Sequence, residues 1–156
     1  MLKRRLKYVL LTLLLLMTSA CGSSLKLYSV NRTLVERCEI RPDGEFCDDV
    51  GAAPSDVETI AVEIEGDIVS VYFGDAAWVT TNDGDEYTIT KEERSTRAPG
   101  PCTQISTRTL RFRIEGSAFN GTLEVASRVE GNELCGETPR GSRQRFQLSG
   151  EITNAI

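Results

Sequence analysis

Apolar and polar residues alternate with a period of two along much of the chain. Ile60, Val62 and Ile64, for example, are separated by single residues that are small or acidic. Such alternation is typical of a β-strand with one buried and one solvated face. Further predicted strands cover residues 68–73, 78–81, 86–90, 110–114, 123–129 and 146–152. No helical period of comparable strength follows the N-terminal segment, so strands dominate the prediction.

Turn sequences separate these predicted strands. Pro42-Asp43-Gly44, Gly66-Asp67 and Asn82-Asp83-Gly84 have the composition of tight turns. Residues 91–103 are polar and contain Pro99-Gly100-Pro101, which predicts a long loop. The gaps are too short for the crossover helices of a parallel sheet. The chain is therefore predicted to be all-β, with about eight or nine antiparallel strands.

Strands with one dry and one wet face curl over a single core, as a barrel or a sandwich. The sequence favours a single antiparallel meander that forms a small, calycin-like barrel, with a β-sandwich as the alternative. One β-domain is expected over residues 25–156. Trp78, the only tryptophan, is expected to fill the core together with Tyr72 and Phe73.

The register around Asn120-Gly121 is open to two interpretations. A tight turn at this dipeptide places Arg111 opposite Glu130 and Arg113 opposite Arg128. A shift by four residues places Ile114 opposite Leu123 and Arg113 opposite Glu124, with a longer loop. The apolar faces match in both registers, so alternation does not decide between them.

The first residues have the features of an export signal. Lys3, Arg4, Arg5 and Lys7 precede an apolar run at residues 8–17. Ten helical residues rise about 15 Å, half of the roughly 30 Å that a bilayer core requires. A basic segment, a short apolar segment and then small residues predict a secretory signal peptide rather than a membrane span.

The segment Thr18-Ser19-Ala20-Cys21 resembles the lipobox of bacterial lipoproteins, with Thr18 where leucine is usual. The resemblance implies that residues 1–20 are removed and that Cys21 carries a diacylglyceryl group and a further acyl chain such as palmitate. Several acyl chains anchor a protein firmly to a membrane. Gly22 at the following position favours the outer membrane. Residues 21–24 would form a tether of about 10 Å beyond the lipid.

Four further cysteines, an even number, predict two disulfides in an exported chain. The turn at residues 42–44 places Cys38 opposite Cys47, which favours the pair Cys38–Cys47 and leaves Cys102–Cys135. The chain has no histidine and no Cys-x-x-Cys motif from which to build a zinc site. Neither a metal nor another cofactor is expected.

Composition narrows the class of function. The formal net charge of −5 argues against a nucleic-acid partner. The absence of histidine removes the usual general base near neutral pH and the Ser–His and Cys–His nucleophile pairs. The acidic residues lie mostly at wet strand positions or in turns, where aspartate is common for backbone reasons. We therefore expect a non-catalytic domain.

Five arginines are the remaining candidates for a binding site. They lie at wet positions of three predicted strands: Arg111, Arg113, Arg128, Arg143 and Arg145. Cross-strand pairs with glutamates would account for them, since each such pair contributes roughly 0.2–1 kcal/mol. The alternative is an anion patch that binds lipid phosphates or an acidic glycan.

The leading hypothesis is a lipid-anchored envelope domain, in the periplasm or at the cell surface, that binds another envelope protein or a glycan or stabilises an assembly. Its oligomeric state is left open. One alternative is a carrier of a small apolar molecule, with a cavity lined by Ile60, Val62, Phe112 and Val125. Another is a hydrolase inhibitor, since small disulfide-bonded β-barrel lipoproteins that inhibit lysozyme are similar in size and architecture.

Overall fold

The computed structural model describes residues 24–50, 55–74, 76–81, 86–97, 102–131, 135 and 141–155. Nine β-strands make up nearly all of these residues: β1 Ser24–Arg41, β2 Gly44–Asp49, β3 Asp56–Glu65, β4 Ile68–Phe73, β5 Ala76–Thr81, β6 Tyr87–Arg97, β7 Cys102–Glu115, β8 Ala118–Glu130 and β9 Gly141–Ala155. Across the described ranges, no helix has the length and apolar character needed to span a membrane.

The strands form a nearly closed antiparallel barrel of eight strands, as the alternation predicted. Its sheet runs β5-β4-β3-β1-β9-β8-β7-β6, and β2 pairs with β1 outside this path. The barrel is therefore a meander whose first and last strands are neighbours. No backbone ladder joins β5 to β6 among the described pairings, and Thr80 Oγ1 donates a hydrogen bond of 3.3 Å to the Thr88 carbonyl across this seam.

The wall of the barrel has two heights. β1 and β9 have 18 and 15 residues, whereas β4 and β5 have 6 each. β2 and β3 lie end to end along one edge of β1, because β2 pairs with residues 36–41 and β3 with residues 24–32. One end of the barrel is consequently an open mouth, bounded by a low wall of β3–β5 and a tall wall of β6–β9 and β1.

Thirteen buried side chains fill the interior between the walls: Tyr28, Val30, Ile60, Val62, Val69, Val71, Trp78, Ile89, Leu110, Phe112, Phe119, Leu123 and Leu148. Every barrel strand contributes to this set. Trp78 is 2% exposed, so its predicted place in the core is confirmed, and Phe73 is partly buried against the core. The prediction is wrong for Tyr72, which is 41% exposed because it alternates with the inward-facing Val71 and Phe73 along β4. Burial of such side chains supplies most of the driving force for folding.

Two polar atoms lie inside this apolar core. Tyr28 Oη and Trp78 Nε1 are buried and have no hydrogen-bond partner within the described part of the chain. Desolvation, and after it the nearby Tyr87, raises the pKa of Tyr28 above its ordinary value. The hydroxyl therefore stays protonated and neutral, which is the less costly form in an apolar environment.

The turn between β7 and β8 lies at Gly116-Ser117, and both registers considered for Asn120-Gly121 are wrong. Ile114 is opposite Phe119, and Arg113 is opposite Asn120. Gly116 has a φ of +61°, a conformation that glycine adopts at little cost. Gly121 lies within β8 instead, where a Cβ atom would come 2.9 Å from Cβ of Phe112. Gly121 is thus required for close packing of β8 against β7, and the turn is formed four residues earlier, at Gly116-Ser117.

The loop predicted over residues 91–103 is wrong for residues 91–97 and 102–103, which belong to β6 and β7, while residues 98–101 lie outside the described ranges. β6 continues to Arg97, and the β6–β7 ladder extends to the pair Arg97–Cys102. These residues belong to the tall wall above the core, so their strand has little apolar surface to bury and shows no clear alternation. The first half of β1, which pairs with β3 from Ser24 onwards, was not among the predicted strands.

The structure confirms two further predicted turns and both predicted disulfides. Turns at residues 42–43 and 66–67 are confirmed, while residues 82–84 lie outside the described ranges. Both disulfides are confirmed. Cys38 and Cys47 are direct cross-strand partners with Cα atoms 4.0 Å apart. Cys102 and Cys135 have Cα atoms 5.4 Å apart.

Candidate functional site

The predicted lipidation site, Cys21, lies outside the described residues. β1 begins three residues later, at Ser24. Ser24 pairs with Ile64 near the β3–β4 turn, whereas Arg32 pairs with Asp56 at the mouth. Eight residues of strand separate these two levels, which is about 26 Å. The chain therefore enters the barrel at the end opposite the mouth.

The five predicted arginines do not gather into one patch. Arg113 is 3.0 Å from Glu86 and Arg128 is 3.1 Å from Glu130, in ion pairs on different parts of the surface. Arg111 is exposed on β7, opposite Thr122. Only Arg143 and Arg145 share a cluster. The anion patch stays a prediction, and the cross-strand glutamate pairs expected for these arginines are present for Arg143 and Arg145.

Arg143 is the centre of that cluster, on the outer face of the tall wall. Its guanidinium lies 2.7 Å from Glu45, 2.9 Å from Glu36 and 3.5 Å from Glu124. Arg145 adds an ion pair of 3.1 Å to Glu36. The hydrogen bond to Glu45 is the main cause of the raised pKa of Arg143. Carboxylates surround this cation, so it is saturated and offers little to an outside anion.

The Cys38–Cys47 disulfide lies beneath Arg143, whose Nη2 is 3.4 Å from Sγ of Cys38. A carboxylate oxygen of Glu36 and the two sulfurs are within 4.8 Å of one another. A metal would need thiolate ligands here, and the sulfurs are bonded to each other. The arrangement is therefore a structural staple, held by an ion-pair network that links β1, β2, β8 and β9.

A cavity lies at the mouth of the barrel. It has a volume of about 600 Å³ and is lined by Arg32, Glu58, Thr59, Phe73, Gly74, Lys91, Glu93 and Arg108. The low wall contributes residues from the start of β3 and the end of β4, and the tall wall contributes residues from β1, β6 and β7. Charged side chains are thus placed around an opening above the apolar core.

Arg32 is held rigidly at one side of the mouth. Its guanidinium lies 2.6 Å from Glu58 and 3.2 Å from Asp56. It also stacks over Phe146 at 5.2 Å from the ring centroid, a cation–π contact that further orients it. Two carboxylates and one ring therefore compensate this cation, and these contacts link β1, β3 and β9 at the mouth.

The opposite side of the mouth is less balanced. Lys91 on β6 and Arg108 on β7 are direct cross-strand partners, and both line the cavity. Lys91 has an ion pair of 3.3 Å with Glu93. Sequence reasoning missed this site because residues 91–103 were interpreted as a loop, which hides the pairing of Lys91 with Arg108.

Comparison with known proteins gives no relative for this chain: no family model, no curated protein and no solved structure matches it.

Proposed function

We propose that this protein is a lipid-anchored envelope lipoprotein, with Cys21 acylated in the outer membrane, whose non-catalytic β-barrel binds a partner at its mouth. The observation that carries the proposal is the position of the mouth at the far end of β1 from Ser24. An anchor three residues before Ser24 would direct the mouth away from the membrane. The charged lining would then face soluble or surface partners.

The filled interior favours this function over an apolar carrier. Of the four residues proposed to line a cavity, Ile60, Val62 and Phe112 are core residues with at most 1% exposure, and Val125 is partly buried against the core. A barrel carrier needs room for its ligand between the strands. A mouth lined by both positive and negative side chains instead suits a polar partner. A hydrolase and an envelope glycan are two classes of such a partner. The absence of histidine in the chain supports a binding role rather than catalysis.

Replacement of the proposed lipid acceptor tests the anchor. We expect Cys21→Ser to move the protein from the membrane fraction to the soluble fraction of its host, because no thioether can form on serine. The readout is immunoblotting of fractionated cells, combined with the intact mass of the wild-type protein, which should include the acyl chains. A Ser23→Ala variant, two residues away, should remain in the membrane fraction. A wild-type chain of unmodified mass would contradict the proposed anchor.

Site-specific photo-cross-linking tests the mouth. Thr59 lines the mouth, and Thr81 lies exposed at the end of β5 near the opposite end. With p-benzoylphenylalanine in place of Thr59, we expect a discrete adduct in intact cells, to be identified by mass spectrometry. The same photo-cross-linker at Thr81 should give none of that adduct. Equal adducts at both positions, or adducts at Thr81 alone, would argue against the mouth as the binding surface.

A further inference from the structure

The charges at the tall side of the mouth are arranged unfavourably for the isolated barrel. Lys91 and Arg108 are directly opposed across the β6–β7 ladder, and like charges in this relation destabilise a sheet. Glu36 and Asp49 on β1 and β2 are also like charges in direct opposition. Their repulsion is compensated, however, because Arg143 and Arg145 both form ion pairs with Glu36. Within the described ladders, no other pair of cations is directly opposed.

The surrounding carboxylates leave one positive charge without compensation. Arg32 binds Asp56 and Glu58, and Lys91 binds Glu93. Arg108 has no ion pair with any residue that the structure describes. It is exposed and lines the cavity. Its guanidinium is therefore available to an outside group, unlike that of Arg143.

We propose that the mouth binds a singly charged carboxylate between Lys91 and Arg108, with the apolar part of the ligand against Phe73; this rests on the proposed function of the mouth. A guanidinium presents parallel N–H donors that match the two oxygens of a carboxylate. The bound charge would also relieve the repulsion between the two cations. Phe73 lines the same cavity and gives an apolar contact beside the charged pair.

The acidic members of the lining select a single charge. Glu58 and Glu93 line the same cavity as Arg108, so a second negative charge on the ligand would meet carboxylates at close range. A cavity of about 600 Å³ lies within the size range of small-molecule sites. Hexanoate, with one carboxylate and a short apolar chain, is therefore a suitable probe. Hexanamide has the same shape without the charge, and inorganic phosphate carries more charge without the chain.

The test uses the full chain in a neutral detergent, with ¹H–¹⁵N NMR titration of each probe. We expect saturable shifts at Lys91 and Arg108 with hexanoate, and at least about tenfold weaker binding of hexanamide and phosphate. Arg108→Gln should weaken hexanoate binding by about tenfold or more. Arg111→Gln, an exposed arginine on the same strand, should bind hexanoate as the wild type does.

Thermal unfolding separates a binding role of Arg108 from a structural one. Because Arg108→Gln removes one of two opposed cations, its melting temperature should equal or exceed that of the wild type. A lower melting temperature, equal binding of hexanamide, tighter binding of phosphate or undiminished binding to Arg108→Gln would each overturn the proposal. The absence of hexanoate shifts would overturn it as well. If hexanoate causes no shifts but the photo-cross-linker at Thr59 still forms an adduct, the carboxylate site is wrong and the partner-binding function remains supported. The two proposals can therefore fail separately.

Discussion

Replacing Gly150 by alanine should destabilise the barrel by about 3 kcal/mol or more. Gly150 lies in β9 between Val30 of β1 and Phe119 of β8, its two cross-strand partners. A Cβ atom at this position would collide with the carbonyl oxygen of Ser29 and lie 2.7 Å from Cα of Val30. Both of these atoms belong to the backbone, so no side-chain rotation can relieve the overlap. The β1–β9 ladder would have to separate locally.

Urea unfolding followed by tryptophan fluorescence measures this effect, since Trp78 is buried in the core. Ser149→Ala is the matched control, because Ser149 is the exposed neighbour on the same strand. Its free energy of unfolding should stay within about 0.5 kcal/mol of the wild-type value. An unfolding midpoint of Gly150→Ala equal to that of the wild type would show that β1 and β9 tolerate a wider spacing.

Loss of the Cys102–Cys135 disulfide should cost more than loss of Cys38–Cys47. The two bonds span 33 and 9 residues of sequence. In the chain-entropy model, loops of these lengths correspond to about 3.7 and about 2.6 kcal/mol of stabilisation. The Cys38–Cys47 bond also lies within a hairpin with a two-residue turn. The β1–β2 ladder and the ion pairs of Arg143 with Glu36 and Glu45 hold this hairpin without the disulfide. For both reasons, the Cys102–Cys135 disulfide should contribute more to the free energy of unfolding.

The measurement is urea unfolding of two double variants, Cys38→Ala with Cys47→Ala and Cys102→Ala with Cys135→Ala. Each removes one bond without leaving an unpaired thiol. The buried members, Cys38 and Cys102, are both almost fully inaccessible, so the cavities left by alanine are comparable. The prediction fails if the variant without Cys38–Cys47 proves the less stable of the two.

Period-two alternation predicted most of the strands that have one buried face, although not the first half of β1, where Tyr28 and Val30 are buried. Ile60, Val62, Leu110, Phe112 and Leu148 belong to the core, as their spacing indicated. The short connections indicated an antiparallel meander, and the turn at residues 42–43 indicated the Cys38–Cys47 pair. These features depend on local geometry, which short stretches of sequence encode directly.

The features that sequence could not supply depend on the tertiary environment. Asn120-Gly121 has the sequence of a turn, but Gly121 faces Phe112 across the β7–β8 ladder. A glycine is needed there because Phe112 leaves no space for a side chain. Residues 91–97 form a strand without a dry face, because they stand above the core. Such a strand shows no alternation of apolar and polar residues, so periodicity cannot predict it.

The candidate site illustrates the same limit. Opposed cations were considered from the sequence, at Arg113 and Arg128, as a reason for an anion to bind. The structure separates those two arginines, since Arg113 faces Asn120 and Arg128 faces Ile105. It places the opposed cations at Lys91 and Arg108 instead. Which charges oppose each other depends on the strand register, and packing determines that register.

The pairing of the first strand with the last strand governs when the fold can be completed. β1 contacts β9 from Lys26–Ala155 to Ile40–Gly141, across most of the length of the chain. Such distant contacts carry a high loop-closure cost and form late. A polypeptide that emerges N-terminus first must keep β1 without this neighbour until β9 has also emerged. The exposed edge of β1 is then open to wrong strand pairing or aggregation, so the completion of β9, rather than any local step, sets the earliest moment at which the barrel can close.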